Sequence, residues 1–277
     1  MGHTLAEKIL MHNTGVADCK PGDIVITHPD CVMFHDIYTT NVYRKFKEMG
    51  FTKSWDAEKV IIMFDHLIPT CLPLDGDHMK HGYQFAEEFG ARKVHAGDGI
   101  CHQLMPELGY ARPGNVVFVT DSHTTTYGAV SAFSTGIGYT EMAAILGTGE
   151  MWVRVPSAIK IQIDGTLPDG VCSKDIALRV LGDLKAAGGT YKSLEFCGST
   201  IDAMPVDERL TIANMAVECG AKVGLFAPTK ESCAYSNVNY DDVSWLHFDD
   251  DAEYEKVLTY KAEDMVPYIA AHPYVDN

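Results

Sequence analysis

The sequence predicts an α/β protein of layered α/β/α domains with largely parallel sheets. Two observations carry that prediction. Short apolar runs alternate with amphipathic stretches along the chain, the pattern of strands and helices stacked in layers. No internal repeat and no low-complexity tract interrupts the alternation, so the chain reads as a globular protein rather than a repeat array.

The elements follow in order. VIIMF at 60–64 is a strand, residues 93–95 form a short one, and VVFVT at 116–120 is another. AIKIQI at 158–163 alternates as a half-exposed strand does. Between these runs, 77–89 is an amphipathic helix that stops at Gly90, and 140–146 is a helix after a glycine-rich turn. Ser173 is expected to cap a helix running through Asp175 to Ala187 and ending at Gly188 and Gly189. Residues 210–219 form an apolar helix closed by Gly220. Pro156 precedes the 158–163 strand and divides the chain into domains 1–156 and 157–277. From Ser236 onward the chain is acidic and aromatic and reads as a surface extension. Its last residues, 274–277, carry no closing element, so the end reads as cut rather than finished.

Composition narrows the function classes. The 277 residues suffice for one large or two medium domains, and a hydrophobic fraction of 46% is ordinary for a globular chain. No apolar run approaches the roughly 18 residues that span a bilayer. The opening MGHTLAEKIL lacks a signal-peptide pattern, and Ala6 stands where a myristoylation signal needs Ser or Thr. The expected location is the cytoplasm, with no membrane partner. A net charge of −16 without any Lys/Arg cluster argues against a nucleic-acid partner. An acidic substrate would require the few positive groups to be placed with care. The eight cysteines are scattered with no C-x-x-C spacing, which supports neither a disulfide scaffold nor a zinc ribbon nor a ferredoxin-type cluster.

Three histidine-bearing stretches stand just past expected strand ends. Asp65 and His66 follow VIIMF, His102 lies in GDGICHQ after the 93–95 strand, and Asp121, Ser122 and His123 follow VVFVT. In open parallel sheets that edge is where ligands bind. A carboxylate beside an imidazole orients it and raises its pKa, making a general acid near neutral pH. One such pair is commonly no more than a hydrogen-bonded turn; several around one pocket suit a reaction that moves protons and expels water. The same set, His66, His102 and His123 with Asp65 or Asp121, also suits a divalent metal in a mononuclear metal-dependent hydrolase. The residues alone leave both readings open. Glu218 sits in the apolar stretch TIANMAVECGA, where a carboxylate either faces solvent at the helix end or pairs with a pocket histidine. Gly136 and Gly138 in STGIGYTE lack the third glycine and the later acidic residue of a dinucleotide fingerprint. The helix start there remains suited to a substrate carboxylate.

The run DSHTTTYGAVSAFSTGIGYTEMAAILGTGEMW at 121–152 resembles the signature of the aconitase superfamily. FDHLIP (64–69), GDGICHQ (97–103), AGGTYKSLEFCG (187–198) and TIANMAVECGAKVGLFAP (211–228) are similar to further blocks of that family, in the family's order. The likeness is strongest to the large subunits of its dehydratase branch, which act on 3-isopropylmalate, homoaconitate and dimethylmalate. It implies an aconitase-like fold and a hydro-lyase that dehydrates and rehydrates a 2-hydroxy di- or tricarboxylate. It further implies that His66, partnered by Asp65, protonates the departing hydroxyl. His102 with Asp121, and His123 with Glu218, would shape a water site beside a cluster iron, with Ser122 and Asn214 near the pocket. HDIYTTN at 35–41, including His35 and Asn41, matches a substrate loop. Asn41 stands where aconitases have glutamine, which leaves the substrate open.

The family carries a [4Fe-4S] cluster on three cysteines from a G-S-C-T-N block and a C-x-x-C block in a later domain. Neither block occurs here, so no residue of this chain is expected to ligate metal. The family's catalytic serine base and most substrate-binding arginines also belong to parts not found in this sequence. The implied partners are a small subunit carrying a swivelling domain, the missing cluster domain and the hydroxy acid, and apolar surface left uncovered would favour self-association. The chain alone is expected to be inactive. A non-catalytic binding or assembly module is the remaining alternative.

Overall fold

A computed structural model describes residues 2–91 and 93–277. The first part of the chain runs α1 (Leu5–Thr14), β1 (Ile24–Thr27), β2 (Cys31–His35), α2 (Asp36–Glu48), β3 (Val60–Phe64), α3 (Pro73–Phe85), β4 (Lys93–Ala96), α4 (Cys101–Glu107) and β5 (Val116–Val119). It continues through β6 (Phe133–Gly136), α5 (Tyr139–Thr148), β7 (Met151–Arg154), β8 (Ala158–Asp164), α6 (Ser173–Leu184), β9 (Ser193–Cys197) and α7 (Ser199–Asp202). The last elements are α8 (Val206–Asn214), β10 (Val223–Phe226), α9 (Lys230–Tyr235) and β11 (Lys256–Lys261).

Two parallel sheets result, in the layered α/β arrangement that the alternation of elements predicts. The first has strand order β4-β3-β2-β5-β6 and the second β10-β9-β8-β11. β1 and β7 form a separate antiparallel ribbon. Strands β2, β3 and β5 are buried at every position, as strands covered on both faces must be. Period-two alternation splits their side chains between two cores. Val32, Phe34, Ile62, Phe64 and Phe118 meet Phe46 of α2 and Phe85 of α3. Met33, Ile61, Met63, Val117 and Val119 meet Cys101 and Met105 of α4 together with Tyr127. In the second sheet, Ile159, Ile161 and Phe196 pack with Ile176 and Val180 of α6 and Ile212 of α8. No helix among the described residues is long and apolar enough to cross a membrane.

Several boundaries differ from the sequence expectation. The helix expected at 77–89 begins at Pro73, because proline in the first turn gives up no intrahelical bond, and it ends in a wider turn at Ala86–Gly90. Cys172, not Ser173, caps α6: its backbone N–H donates to the Asp175 carboxylate at 2.8 Å. The helix stops at Leu184 because Lys185 takes a positive φ of 67°. The 210–219 helix starts earlier, at Val206, and tightens into a 3-10 turn at Met215–Cys219 before Gly220 closes it. The segment after Ser236 is no surface extension. Leu246 is buried in the first core, and β11 pairs in parallel with β8 as an edge strand.

A buried carboxylate ties the N-terminal helix to the second sheet. Glu195 of β9, fully buried, accepts the N–H groups of Leu5 (3.1 Å) and Ala6 (3.0 Å) at the start of α1, and the Ser193 hydroxyl (3.1 Å). It caps donors the helix cannot satisfy itself. Burial nonetheless pushes its pKa up from 4.5 to about 7. The folded protein therefore holds a proton that the unfolded chain releases near pH 4.5, and stability falls as pH rises from there to about 7. The expected loss is about 3 kcal/mol across that window. Thermal melts of the parent and Glu195→Gln between pH 4.5 and 8 check this: the slope belongs to the parent and flattens in the variant.

Candidate active site

The strand order of the first sheet places the site. The chain winds outward from β2 in both directions, so the crevice beyond its carboxyl end, between β2 and β5, is the topological switch point where open sheets bind ligands. His35 closes β2, Asp65 and His66 follow β3, and Asp121 follows β5. His102 comes in from the first turn of α4.

Asp121 is the hub. Its Oδ1 lies 3.1 Å from Nε2 of His102, and its Oδ2 lies 3.4 Å from Nε2 of His66. The His123 backbone N–H donates to Oδ1 at 2.7 Å. His66 is gripped from its other nitrogen by Asp65 (Nδ1 to Oδ1, 2.8 Å), whose second oxygen accepts the Cys101 N–H at 2.7 Å. Asp65 thus links the His66 loop to the helix carrying His102. His123 pairs with Glu218 at 3.1 Å, which resolves the two readings of that carboxylate: it faces a histidine from the end of the 3-10 turn after α8. The His102 and His123 rings stand 6.2 Å apart. Ser122 Oγ lies 3.1 Å from His123 Nδ1, and Asn214 donates to the Thr126 hydroxyl at 2.9 Å.

These contacts shift the charges in a consistent direction. The hydrogen bond to Asp121, and then that to Asp65, raise His66 from 6.5 to about 10, against the opposing effect of burial. For Asp121 burial favours the neutral form, but the bonds from His102 and His66 outweigh it and hold the carboxyl well below the ordinary range. Asp65 is lowered in the same way by His66 and the Cys101 N–H, again against burial. The cluster is therefore a cationic imidazole between two carboxylates, with the proton retained at neutral pH.

Two residues have a different standing from the one expected. Asn41 lies part-way along α2, half-buried, outside the hydrogen bonds that join the histidines. Asp36, which the sequence reading passed over, is completely buried and accepts the backbone N–H groups of His66 (3.2 Å) and Leu67 (2.8 Å). Its neighbour His35 donates from Nε2 to the Thr120 carbonyl at 2.9 Å and stacks on the His66 ring at 4.2 Å. A carboxylate at the end of the apolar run CVMFHD is the signal by which it could be found, since such a group needs donors. His35, His66 and Asp121, and likewise Asp36, Asp65 and His66, bring donor atoms within 4.8 Å of one another. A cation there would have to displace hydrogen bonds already made by every one of those side chains.

Fold and site together define a class: a layered α/β protein with a carboxylate-bridged histidine cluster at the switch point of a parallel sheet. The chain belongs to the aconitase family, whose model (aconitate hydratase) matches residues 7–276. It is 39% identical over 279 residues to the 3-isopropylmalate dehydratase large subunit 1 of Methanopyrus kandleri, covering 100% of this chain and 66% of that protein. To the 3-isopropylmalate dehydratase large subunit of Halothermothrix orenii it is 40% identical, covering 98% of this chain and 65% of that protein. A relative from Methanothermobacter thermautotrophicus named "Probable methanogen homoaconitase large subunit" is 36% identical, with 99% and 65% covered. The chain spans about 65% of the length of these curated relatives.

Proposed function

We propose that this chain supplies the acid half of a hydro-lyase that dehydrates and rehydrates a 2-hydroxy di- or tricarboxylate of the 3-isopropylmalate type. The observation that carries the reading is Asp121 bridging His66 and His102 while His66 keeps its proton. In dehydration the C–O bond of the substrate breaks, the departing hydroxyl takes the proton from His66, and water leaves. In rehydration His66 recovers that proton. Asp65 fixes the ring from Nδ1, so Nε2 is the atom that delivers. The 3.4 Å contact of that nitrogen with Asp121 is the looser of the two, and a substrate oxygen competes there. His102 with Asp121, and His123 with Glu218, orient the water; Ser122 and Asn214 border the substrate, while His35, expected there, is buried and supports the His66 ring instead. The group that takes the carbon-bound proton lies outside this chain.

The family implies a [4Fe-4S] cluster, which would supply Lewis acidity at the hydroxyl. The cysteines here do not fit one. The eight cysteines have no C-x-x-C spacing, and among the described residues none belongs to a group of three side chains close enough to share a metal. We therefore assign the cluster ligands to another domain or chain. The relatives' names, "large subunit", support a small-subunit partner. Leu72, Leu74, Ile100 and Ile269 are largely exposed and suit such docking, or self-association in its absence. The eight free cysteines fit a reducing cytoplasm. We divide the chain at 156 into two aconitase-like domains, joined through Glu195 and α1.

The test is turnover of 3-isopropylmalate by this chain reconstituted with polypeptides that supply the cluster domain and the small subunit. His66→Gln in that assembly lowers kcat about 10²- to 10⁴-fold, with KM little changed. Equal kcat in the variant, or turnover by the isolated chain, contradicts the proposal.

A further inference from the structure

Lys222 is a cation without a counter-ion. It follows the turn closed by Gly220 and precedes β10, and its side chain is half-buried. Lys8, Lys45, Lys47 and Lys192 all meet carboxylates. Among the described residues Lys222 has neither an ion pair nor a side-chain hydrogen bond, and its nearest recorded neighbour is the Tyr191 ring, 5.3 Å from Nζ. Glu141 is the carboxylate whose field reaches it, from beyond ion-pair distance. With 38 acidic and 22 basic side chains in the molecule, a half-buried ammonium without an ion pair has given up hydration for no carboxylate in return. Burial accordingly lowers its pKa.

The surroundings give the unpaired charge a use. Lys222 lines a cavity of about 540 Å³ together with Asp121, Ser122, Tyr38 and Tyr139. Asp121 is the only carboxylate and Lys222 the only basic side chain in that lining, and Asp121 already meets His66 and His102. The ammonium is therefore the one charged group of the lining without a partner, and it borders the same space as Asp121. The hydroxyls of Ser122, Tyr38 and Tyr139 add neutral donors suited to carboxylate oxygens.

We propose that Lys222, with the Ser122 hydroxyl, is a carboxylate-binding subsite that orients a 2-hydroxy dicarboxylate with its hydroxyl toward His66. The inference rests on the hydro-lyase reading for the identity of the ligand. It means that this chain alone contributes one charged contact to substrate binding and helps determine which end of the hydroxy acid faces the acid.

The experiment uses malate, the simplest 2-hydroxy dicarboxylate, titrated into the full chain at low ionic strength and followed by amide and lysine-side-chain NMR shifts. The parent binds, with shifts at Lys222 and Ser122, and affinity falls steeply with added salt. Lys222→Met keeps the apolar stem and removes the charge; it weakens binding at least 10-fold while its Tm stays level or rises. A lysine retained for stability would instead lower Tm and leave malate affinity alone. Parent-like affinity in Lys222→Met, or no malate binding by the parent, overturns the subsite. His66→Gln separates this from the broader reading, because it lowers kcat in the reconstituted assembly about 10²- to 10⁴-fold whether or not Lys222 holds the carboxylate. Loss of turnover there with unchanged malate affinity in Lys222→Met sinks the subsite and leaves the hydro-lyase standing.

Discussion

Asp121→Asn lowers the pKa of His66 from about 10 by roughly 1–3 pH units. Asp121 is the larger of the two influences that hold the imidazole in its protonated form, and asparagine keeps the shape while removing the charge. Asp65 remains, so the fall stops short of the ordinary value of 6.5. The consequence for stability follows from the same direction. His66 binds its proton more tightly in the folded state, so its contribution is complete below about pH 6.5 and is lost as pH rises toward about 10. Asp121 and Asp65, whose pKa values are depressed, contribute above about pH 3.8 and lose that contribution as pH falls through their folded values. The cluster is thus at its strongest between about pH 4 and 6.5, and its alkaline limb is the part that Asp121→Asn weakens. NMR titration of the His66 ring reads the shift directly. An unchanged midpoint in the variant would remove Asp121 from its place as hub. In the reconstituted assembly the same variant lowers kcat about 10²- to 10⁴-fold, because His66 and His102, the proposed acid and water-orienting residue, lose their shared partner together.

Gly128→Ala costs about 3 kcal/mol or more and lowers Tm by about 6–12 °C. Gly128 lies in the 3-10 segment Ser122–Val130, which carries Ser122 and His123 and packs directly on β10. A Cβ at that position would sit 1.8 Å from the Gly224 carbonyl oxygen and 2.7 Å from its carbon. Both obstacles are backbone, so no side-chain rotation relieves them, and the segment must lift away from the sheet. The displacement reaches the site through His123, whose N–H is bonded to Asp121. Gly182→Ala is the matched control. It lies inside α6 with nothing within 4 Å of the added methyl, and it stabilises by about 0.5–1 kcal/mol through helix propensity. Parallel thermal melts decide the matter: a Gly128→Ala protein as stable as the parent contradicts the close packing described here.

Much of the site was legible because parallel strands put all their carboxyl ends on one edge. Once 60–64 and 116–120 are strands, Asp65, His66, Asp121 and His123 fall on the same rim without knowledge of the strand order. Neighbour relations were not legible. That His35 stacks on His66, and that Asp36 clamps a loop some 30 residues away, follows from β2 lying between β3 and β5. Nothing local in the sequence encodes that order. Glu218 illustrates the same limit: its helix end could be read, but its partner is 95 residues distant. β11 was missed for a different reason. KVLTYK is an exposed edge strand, polar enough to resemble surface chain, and only pairing with β8 gives it a structural role. Pro73 and Asp175 are the local signals that mark the starts of α3 and α6.

We propose that this chain provides the proton-donating half of the site and that the cluster ligands come from elsewhere. The most direct test is iron and acid-labile sulfide content after anaerobic reconstitution of the chain alone. The expected result is no stoichiometric cluster, with the buried thiols left protonated. A full complement of iron and sulfide bound to this chain would make some of its own cysteines ligands and would contradict it.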